Sequence, residues 1–420
     1  MSESEPTDLT ISAVWEPSGA QIDLASPVSP AWEAAYGMSC ASTIEFFGNA
    51  DQVPASASAY RSSSARPTVS DTWETYCLAL PAGVTDASDL AGRELRVVLD
   101  ESLPFDAWDP TRLVAQVSLG CEMEANLTEM SVDIFVREPY RRAGIGRAAL
   151  AFARERAEEL GRTQLIGWSL VTPLEEGERP ASGVRVGAGP QRIDGEAHPA
   201  SFLLGEGASI DMLEYLSGLQ GLTDAARRAE LAAHAEGLKA EAAARAGDAY
   251  RLVSWVGPTP ADLLAARADM ATGFSADLDR AEGREPHVFS PERVAELEAA
   301  CAARGVREYT TAAQVRATGE LVAYTLVHWR ESSGGCIQED TWVAPAHRGH
   351  RLGLLVKAEN LLRLLALDRP PERVVTFNST TNTHMWAINE RLGYERLRTE
   401  GTWRMVRRPD GTWGPRGHGA

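Results

Sequence analysis

One pattern occurs twice in this chain of 420 residues and limits what it can fold into. Residues 136–147 read VREPYRRAGIGR, and residues 343–354 read VAPAHRGHRLGL. Each copy follows a β-rich run and meets a proline, which ends the strand because it lacks an N–H. Each then crowds arginine and glycine into one turn and opens a helix. Ile145, Ala149, Phe152, Ala153 and Leu160 mark the buried face of the first helix. Leu354, Ala358, Leu361, Leu362 and Leu365 do so for the second. Arginine at a helix start is disfavoured by the macrodipole. Two such starts therefore predict bound anions, held by exposed N–H groups as in phosphate sites. The copies lie about two hundred residues apart, which predicts two similar domains.

The rest of the chain bounds this reading. With 44% hydrophobic and 24% charged residues it is an ordinary globular sequence. A net charge of −18 disfavours nucleic acid and anionic membrane surfaces and suits a cationic substrate such as an amine. The acidic start MSESEPTDL has no apolar segment, and no run is long enough to span a bilayer, so a cytoplasmic location is expected. The five cysteines, Cys40, Cys77, Cys121, Cys301 and Cys336, are scattered and odd in number, which predicts reduced, packed thiols. No His/Cys/Asp cluster has metal-ligand spacing along the sequence, so no metal is expected.

Taken in order, residues 1–222 form the expected first domain, with strands at 9–15, 75–80, 112–123 and 127–136 and a helix at 31–47. Gly120 and Cys121 suggest a bulge. Residues 172–200, rich in Gly, Pro, Glu and Arg, read as a long loop. The Ala/Glu/Arg-rich stretch 223–248 reads as a helical linker. Residues 249–408 form the second domain, with helices at 261–270 and 291–304 and an antiparallel run at 307–343. Residues 409–420 read as a loose tail. The fragment Gly144-x-Gly146-x-x-Ala149 also fits a dinucleotide fingerprint. That fingerprint needs a strand running into its first glycine and a later acid. Seven residues separate Val136 from Gly144, and the strand at 165–171 ends without an acid.

The two turns, together with the helix at 382–394, resemble the GNAT family of N-acetyltransferases. Its turn signature is Gln/Arg-x-x-Gly-x-Gly/Ala. Arg141-x-x-Gly144-x-Gly146 keeps every position, and Arg348-x-x-Arg351-x-Gly353 departs at the middle one. Asn382-x-x-Met385-x-x-x-Asn389-x-x-x-Gly393-Tyr394 has the spacing of a second family helix, with Asn389 where many members carry tyrosine. The resemblance covers nearly all of the second domain and part of the first, where the second motif is not found. It implies an α+β fold of two GNAT-like domains, each a mixed, mostly antiparallel sheet flanked by helices. It also implies acetyl-CoA as cofactor and direct attack by an amine in a ternary complex.

On that resemblance Arg348, Gly349, His350, Arg351, Leu352, Gly353 and Leu354 hold the diphosphate, and Thr341, Trp342 and Val343 lie along the pantetheine. Asn378 and Asn382 meet the cofactor's amides, and Asn389, also expected at the cofactor, has no acidic proton for a leaving thiolate. Val136, Arg141, Arg142, Ala143, Gly144, Ile145, Gly146 and Arg147 are their first-domain counterparts. An ammonium titrates near about 10.4 and must lose a proton before attack. Asp340 and Glu339 are the nearby carboxylates that can take it. As strand neighbours only one is expected to face the cleft, and Asp340 is preferred. The expected partner is a small-molecule amine, with no nucleic acid or membrane, and the chain acts as a monomer or homodimer. Two other readings stay open: a non-catalytic acyl-CoA-binding or scaffold protein, and a first domain that is the active half.

Overall fold

Mostly apolar runs such as Leu113–Val117 and Val322–Val327, each with one polar residue (Gln116, Thr325), form strands covered on both faces, where hydrophobic alternation is masked. The computed structural model describes residues 8–416 apart from 20–21, 66–70, 176, 179 and 283. It divides into two units, Met1–Leu213 with Glu400–Ala420, and Glu214–Thr399.

The first unit contains β1 (Asp8–Glu16), α1 (Pro30–Phe47), α2 (Ala57–Ser64), β2 (Asp71–Ala79), β3 (Glu94–Leu99), β4 (Leu113–Glu122) and β5 (Glu129–Val136). It continues with α3 (Ile145–Glu159), β6 (Gln164–Leu170), β7 (Gly183–Arg185), β8 (Arg192–Asp194), α4 (Ala200–Gly205) and the start of β9 (Ser209–Gln220). The second unit takes the end of β9, then α5 (Ala225–Ala246), β10 (Tyr250–Val256), α6 (Leu264–Glu282), α7 (Pro291–Ala303), β11 (Arg307–Val315), β12 (Leu321–Arg330) and β13 (Gly335–Val343). After these come α8 (Leu352–Leu365), β14 (Arg373–Ser379), α9 (Thr383–Arg391) and the start of β15 (Glu395–Arg407), whose later part and β16 (Trp413–Gly414) belong to the first unit.

Each unit is α+β with a mostly antiparallel sheet. In the first the strands run β3-β1-β2-β4-β5-β6-β15, with β1–β3 and β5–β6 parallel. In the second they run β10-β11-β12-β13-β14-β9, with only β13–β14 parallel. Alternate residues serve opposite faces. Ile11, Leu78 and Val114 pack beneath α3, whereas Val14, Cys77 and Leu113 pack against Trp32 of α1. In the second unit Ala323 and Val327 meet α5 and α8, while Tyr324 and Leu326 meet α6.

Several expectations change. The stretch expected as a linker packs within the second unit, because Leu231, Ala235, Leu238 and Ala242 form a buried helical stripe in the same core as α8. The division accordingly falls at 213/214 and 399/400. Gly120 keeps regular pairing on both sides; a Cβ there would lie 2.7 Å from the Trp73 ring, so the glycine admits an indole and makes no bulge. The loop at 172–200 contains the β7–β8 pair, and α6 runs past residue 270 to Glu282. The tail is held at Trp413 and Gly414, which pair with Arg407 and Val406. The five cysteines are free, and Cys77, Cys121 and Cys336 are buried.

One buried carboxylate stands out in the first unit. Glu16 is 3% exposed, and its Oε2 accepts a 3.0 Å bond from Gln116, which also donates to Tyr60. Burial pushes the Glu16 pKa from 4.5 to about 7, against the hydrogen bonds of Tyr60 and Gln116. Between pH 4.5 and about 7 the unfolded chain loses this proton while the folded chain keeps it, so stability falls as pH rises through that window. In Glu16→Gln urea midpoints measured across the same range are expected to decline less steeply, with Asp133 and Asp340, both raised by burial, left to contribute. A slope unchanged by the substitution would contradict the assignment.

Candidate active site

The two basic turns share one backbone conformation. After a short 3-10 turn, Arg141 and Arg348 are extended, with ψ of 156° and 157°. Left-handed residues follow, Arg142 (φ 65°) in the first turn and Gly349 (φ 84°) in the second. One residue later, after Ala143 or His350, come the left-handed helix caps Gly144 (φ 89°) and Arg351 (φ 58°). Each turn thus has one glycine and one arginine at its two left-handed positions, in exchanged order. The glycine missing at position 351 does not alter the shape. Among the described residues only Asn126, Arg142 and Arg351 reach positive φ without being glycine. The conformation costs an L-residue roughly 1–2 kcal/mol, and such strain concentrates where a ligand is clamped.

The helix starts behind these turns are open. Ser29, Ser56, Asp224, Ser290 and Asn382 cap α1, α2, α5, α7 and α9 with side-chain oxygens. No side chain caps α3 or α8. The backbone N–H groups of Ile145, Gly146 and Arg147, and of Leu352, Gly353 and Leu354, are the orphan donors of those first turns. They suit a diphosphate. A Cβ on Gly146 or Gly353 would meet nothing nearer than 3.7 Å or 3.5 Å, so backbone approach is unobstructed on that side.

The arginines do less than their charge suggests. Arg141 Nε donates to the Val136 carbonyl at 2.8 Å and its guanidinium pairs with Glu45 at 2.5 Å. Arg348 repeats both bonds, to the Val343 carbonyl at 3.1 Å and to Asp277 at 2.5 Å. Each is a strut from turn to strand end and neighbouring helix, with its charge already balanced. Arg351 pairs with Glu241, which Arg391 shares, and Arg147 pairs with Glu206 at 2.7 Å. Exposed Arg142 has no ion-pair partner among the described residues. The His350 ring lies against Tyr250, whose hydroxyl is 2.9 Å from His347 Nδ1.

In front of each turn two parallel strands begin side by side and part. β5 and β6 pair only from Glu129–Ser131 to Gln164–Ile166, and β13 and β14 only at Ile337 and Val375. Beyond these points Val136, and likewise Thr341, Trp342 and Val343, stay extended with one edge outside the sheet ladder. Backbone groups left this way need partners, and an extended ligand bearing amides can supply them. The Trp342 side chain itself is structural. Its ring fills the space over Gly273, where a Cβ would come within 2.4 Å, and its Nε1 donates to Asp277 at 2.8 Å.

The second unit alone adds a bulge to the strand before its turn. Thr325 faces Thr341 and Val327 faces Gln338, so β13 has one residue more than β12 across this interval. The extra residue turns both Glu339 and Asp340 to the α6 face. This corrects the expectation that only one carboxylate faces the cleft. Asp340 Oδ2 accepts from Tyr324 at 2.6 Å, and the Arg267 guanidinium lies 4.4 Å over the Tyr324 ring. Burial raises the Asp340 pKa, with Arg267 and Tyr324 opposing. Glu339 lies 3.3 Å from His328 Nδ1, whose Nε2 is 2.9 Å from Glu308. Tyr324, Leu326 and His328 recur every second residue along β12, a signal for this face that was legible in the sequence. Arg267 and Glu308 carried none.

The asparagines separate. Asn382 is spent as the α9 cap, accepting from Met385 N at 3.1 Å. Asn389 is wholly buried and donates to Asn378, which sits near the parted end of β14. Asn378 is therefore within the cleft strand, whereas Asn389 supports it from behind. In the first unit β5 has regular pairing; Asp133 holds the place of Asp340, and Gln116 that of Tyr324. Trp32, Phe105 and Trp108 fill that face.

No protein-family model and no curated protein matches the sequence. Solved structures do resemble the fold. A tandem GNAT protein from the clavulanic acid biosynthesis pathway is 20% identical with a TM-score of 0.61, and the match covers 95% of this chain and 99% of that one. A GCN5-related N-acetyltransferase from Sphaerobacter thermophilus is 12% identical with a TM-score of 0.52, over 91% of this chain and 95% of that one. The chain has the α+β fold of a tandem GNAT protein.

Proposed function

We propose that the second unit transfers an acetyl group from acetyl-CoA to a small-molecule amine, and that the first unit binds CoA without catalysing transfer. One observation carries the choice of unit: the bulge that brings Asp340 and Glu339 to one face lies in the second unit, beside an open strand edge and an uncapped helix. The N-acetyltransferase named among the similar structures supports the reaction class.

Acetyl-CoA, when bound, supplies a thioester carbonyl open to attack by an amine. The amides of Leu352, Gly353 and Leu354 would hold its diphosphate, and the free edge of Thr341–Val343 with Asn378 its pantetheine amides. Asp340 accepts the ammonium proton, since burial raises its proton affinity above that of an ordinary carboxylate and Tyr324 holds one of its oxygens. Glu339, with its side chain 37% exposed, passes that proton to water. Asn389 has no acidic proton to give a departing thiol. A group with an ordinary pKa of about 8.5 needs none at neutral pH. No helix among the described residues is long and apolar enough to cross a membrane. We place the enzyme in the cytoplasm, as a monomer or homodimer.

Asn389, which has no acidic proton where many family members carry tyrosine, favours a second reading, a non-catalytic acyl-CoA-binding protein. Thiol release with a panel of amines separates the two, because tight binding without turnover supports only the second. Calorimetric titration of acetyl-CoA into Gly353→Glu and Gly146→Glu assigns the units. Gly353→Glu is expected to lose turnover and Gly146→Glu to keep it; the reverse result overturns the choice of unit. Asp340→Asn is expected to lower kcat by about 10²–10⁴. A kcat within a factor of about two of wild type would remove Asp340 from the proton transfer.

A further inference from the structure

The face that carries Glu339 continues along β12 into a second polar cluster. Cys301 lies in the last turn of α7, and Glu308 and His328 are cross-strand partners on β11 and β12. One ligating atom from each lies within 4.8 Å of the other two. The connection between α7 and β11 explains the convergence. Val306 N closes onto the Cys301 carbonyl, and Gly305 (φ 73°) supplies the left-handed step that reverses the chain. Glu308 is buried, and Cys301 and His328 are partly so.

We propose that Cys301 Sγ, a Glu308 carboxylate oxygen and His328 Nε2 form a three-ligand Zn²⁺ site, with Glu339 holding the His328 Nδ1–H and the fourth position open. Thiolate, imidazole and carboxylate are the donors this ion takes. A tetrahedral ion with bonds of about 2.0–2.3 Å spaces its ligand atoms roughly 3.3–3.7 Å apart. The cluster therefore needs side-chain shifts of about 1 Å. A carboxylate on the far nitrogen is what fixes the tautomer and orientation of a metal-binding imidazole. Glu339 Oε1 stands 3.3 Å from Nδ1, on the side away from Glu308.

Without the ion, His328 is an imidazolium bridging two carboxylates. Burial opposes that charge, but hydrogen bonds to Glu308 and Glu339 outweigh it and push its pKa up to about 10. Zn²⁺ binding sends to solvent the Nε2 proton and the thiol proton of Cys301. Burial pushes the Cys301 thiol up to about 11, with Glu308, Glu339 and Glu298 adding to the rise and Arg304 opposing it, so the ion has to displace that proton. Through Glu339 the site adjoins the proposed acyl cleft. It does not rest on that reading, because its test measures metal and not transfer.

The test uses the full chain, freed of metal by chelator and titrated with Co²⁺. The expected result is a thiolate-to-cobalt charge-transfer band that saturates at one ion per chain and is displaced by Zn²⁺. Cys301→Ser, a near-isosteric change, is expected to abolish the band. Glu339→Gln is expected to weaken affinity by about 10–100-fold. Absence of a band in the wild type would leave only the imidazolium bridge. A band that survives Cys301→Ser would place the ion on another thiol. Either outcome overturns the site.

Discussion

Two strands that start as neighbours and then separate govern everything near the cleft. A parallel pair normally continues until one strand ends, because each further residue gains a hydrogen bond. Here β5 and β13 run on past the last residue they pair with β6 and β14, and the next turn holds that edge in place. The tie is the same in both units: the first arginine of the turn bonds back to the last carbonyl of the strand and across to a neighbouring helix. The turn is bent through two left-handed residues, and the helix behind it presents amides that no side chain satisfies. Extended edge, bent turn and open helix end follow one another along the chain, and the edge and the helix end leave backbone groups for a ligand to meet.

Given that shared frame, the units differ in what occupies the opposite face of the sheet. In the first, Trp32, Phe105 and Trp108 close it, and a neutral-leaning Glu16 is sealed beneath them by Gln116. In the second, one added residue on β13 changes which side chains emerge. Asp340 turns to Tyr324 and Arg267, and Glu339 to His328 and Glu308. A regular strand would have sent one of these acids into the core beneath α8, near buried groups such as Lys357, whose pKa burial alone lowers to about 7. The bulge is thus what gives one unit a polar, ionisable face and leaves its counterpart with an aromatic one.

Much of this was legible from the chain. The spacing of Leu354, Ala358, Leu361, Leu362 and Leu365 marked the buried side of α8, and all of these but the half-buried Leu362 are buried. Arg141 and Arg348 located both turns, since an arginine beside glycines after a β-Pro run has few uses other than reversing into a helix. The helix 225–246 was legible too, but its place was not. An Ala-rich stripe reads alike as a spacer or a packed face, and only Leu231 and Leu238 lying against the α8 core decided it.

What the sequence by itself determined was local: where strands stop, where helices begin, and that one motif is present twice. Those features arise from proline, glycine and apolar periodicity within a few residues. The tertiary structure alone decided which charges are spent and which carboxylates share a face. Asp277 and Glu45 lie far along the chain from the arginines they neutralise, and the extra residue in β13 exists only relative to β12. A register is a property of two strands, and no single strand can state it.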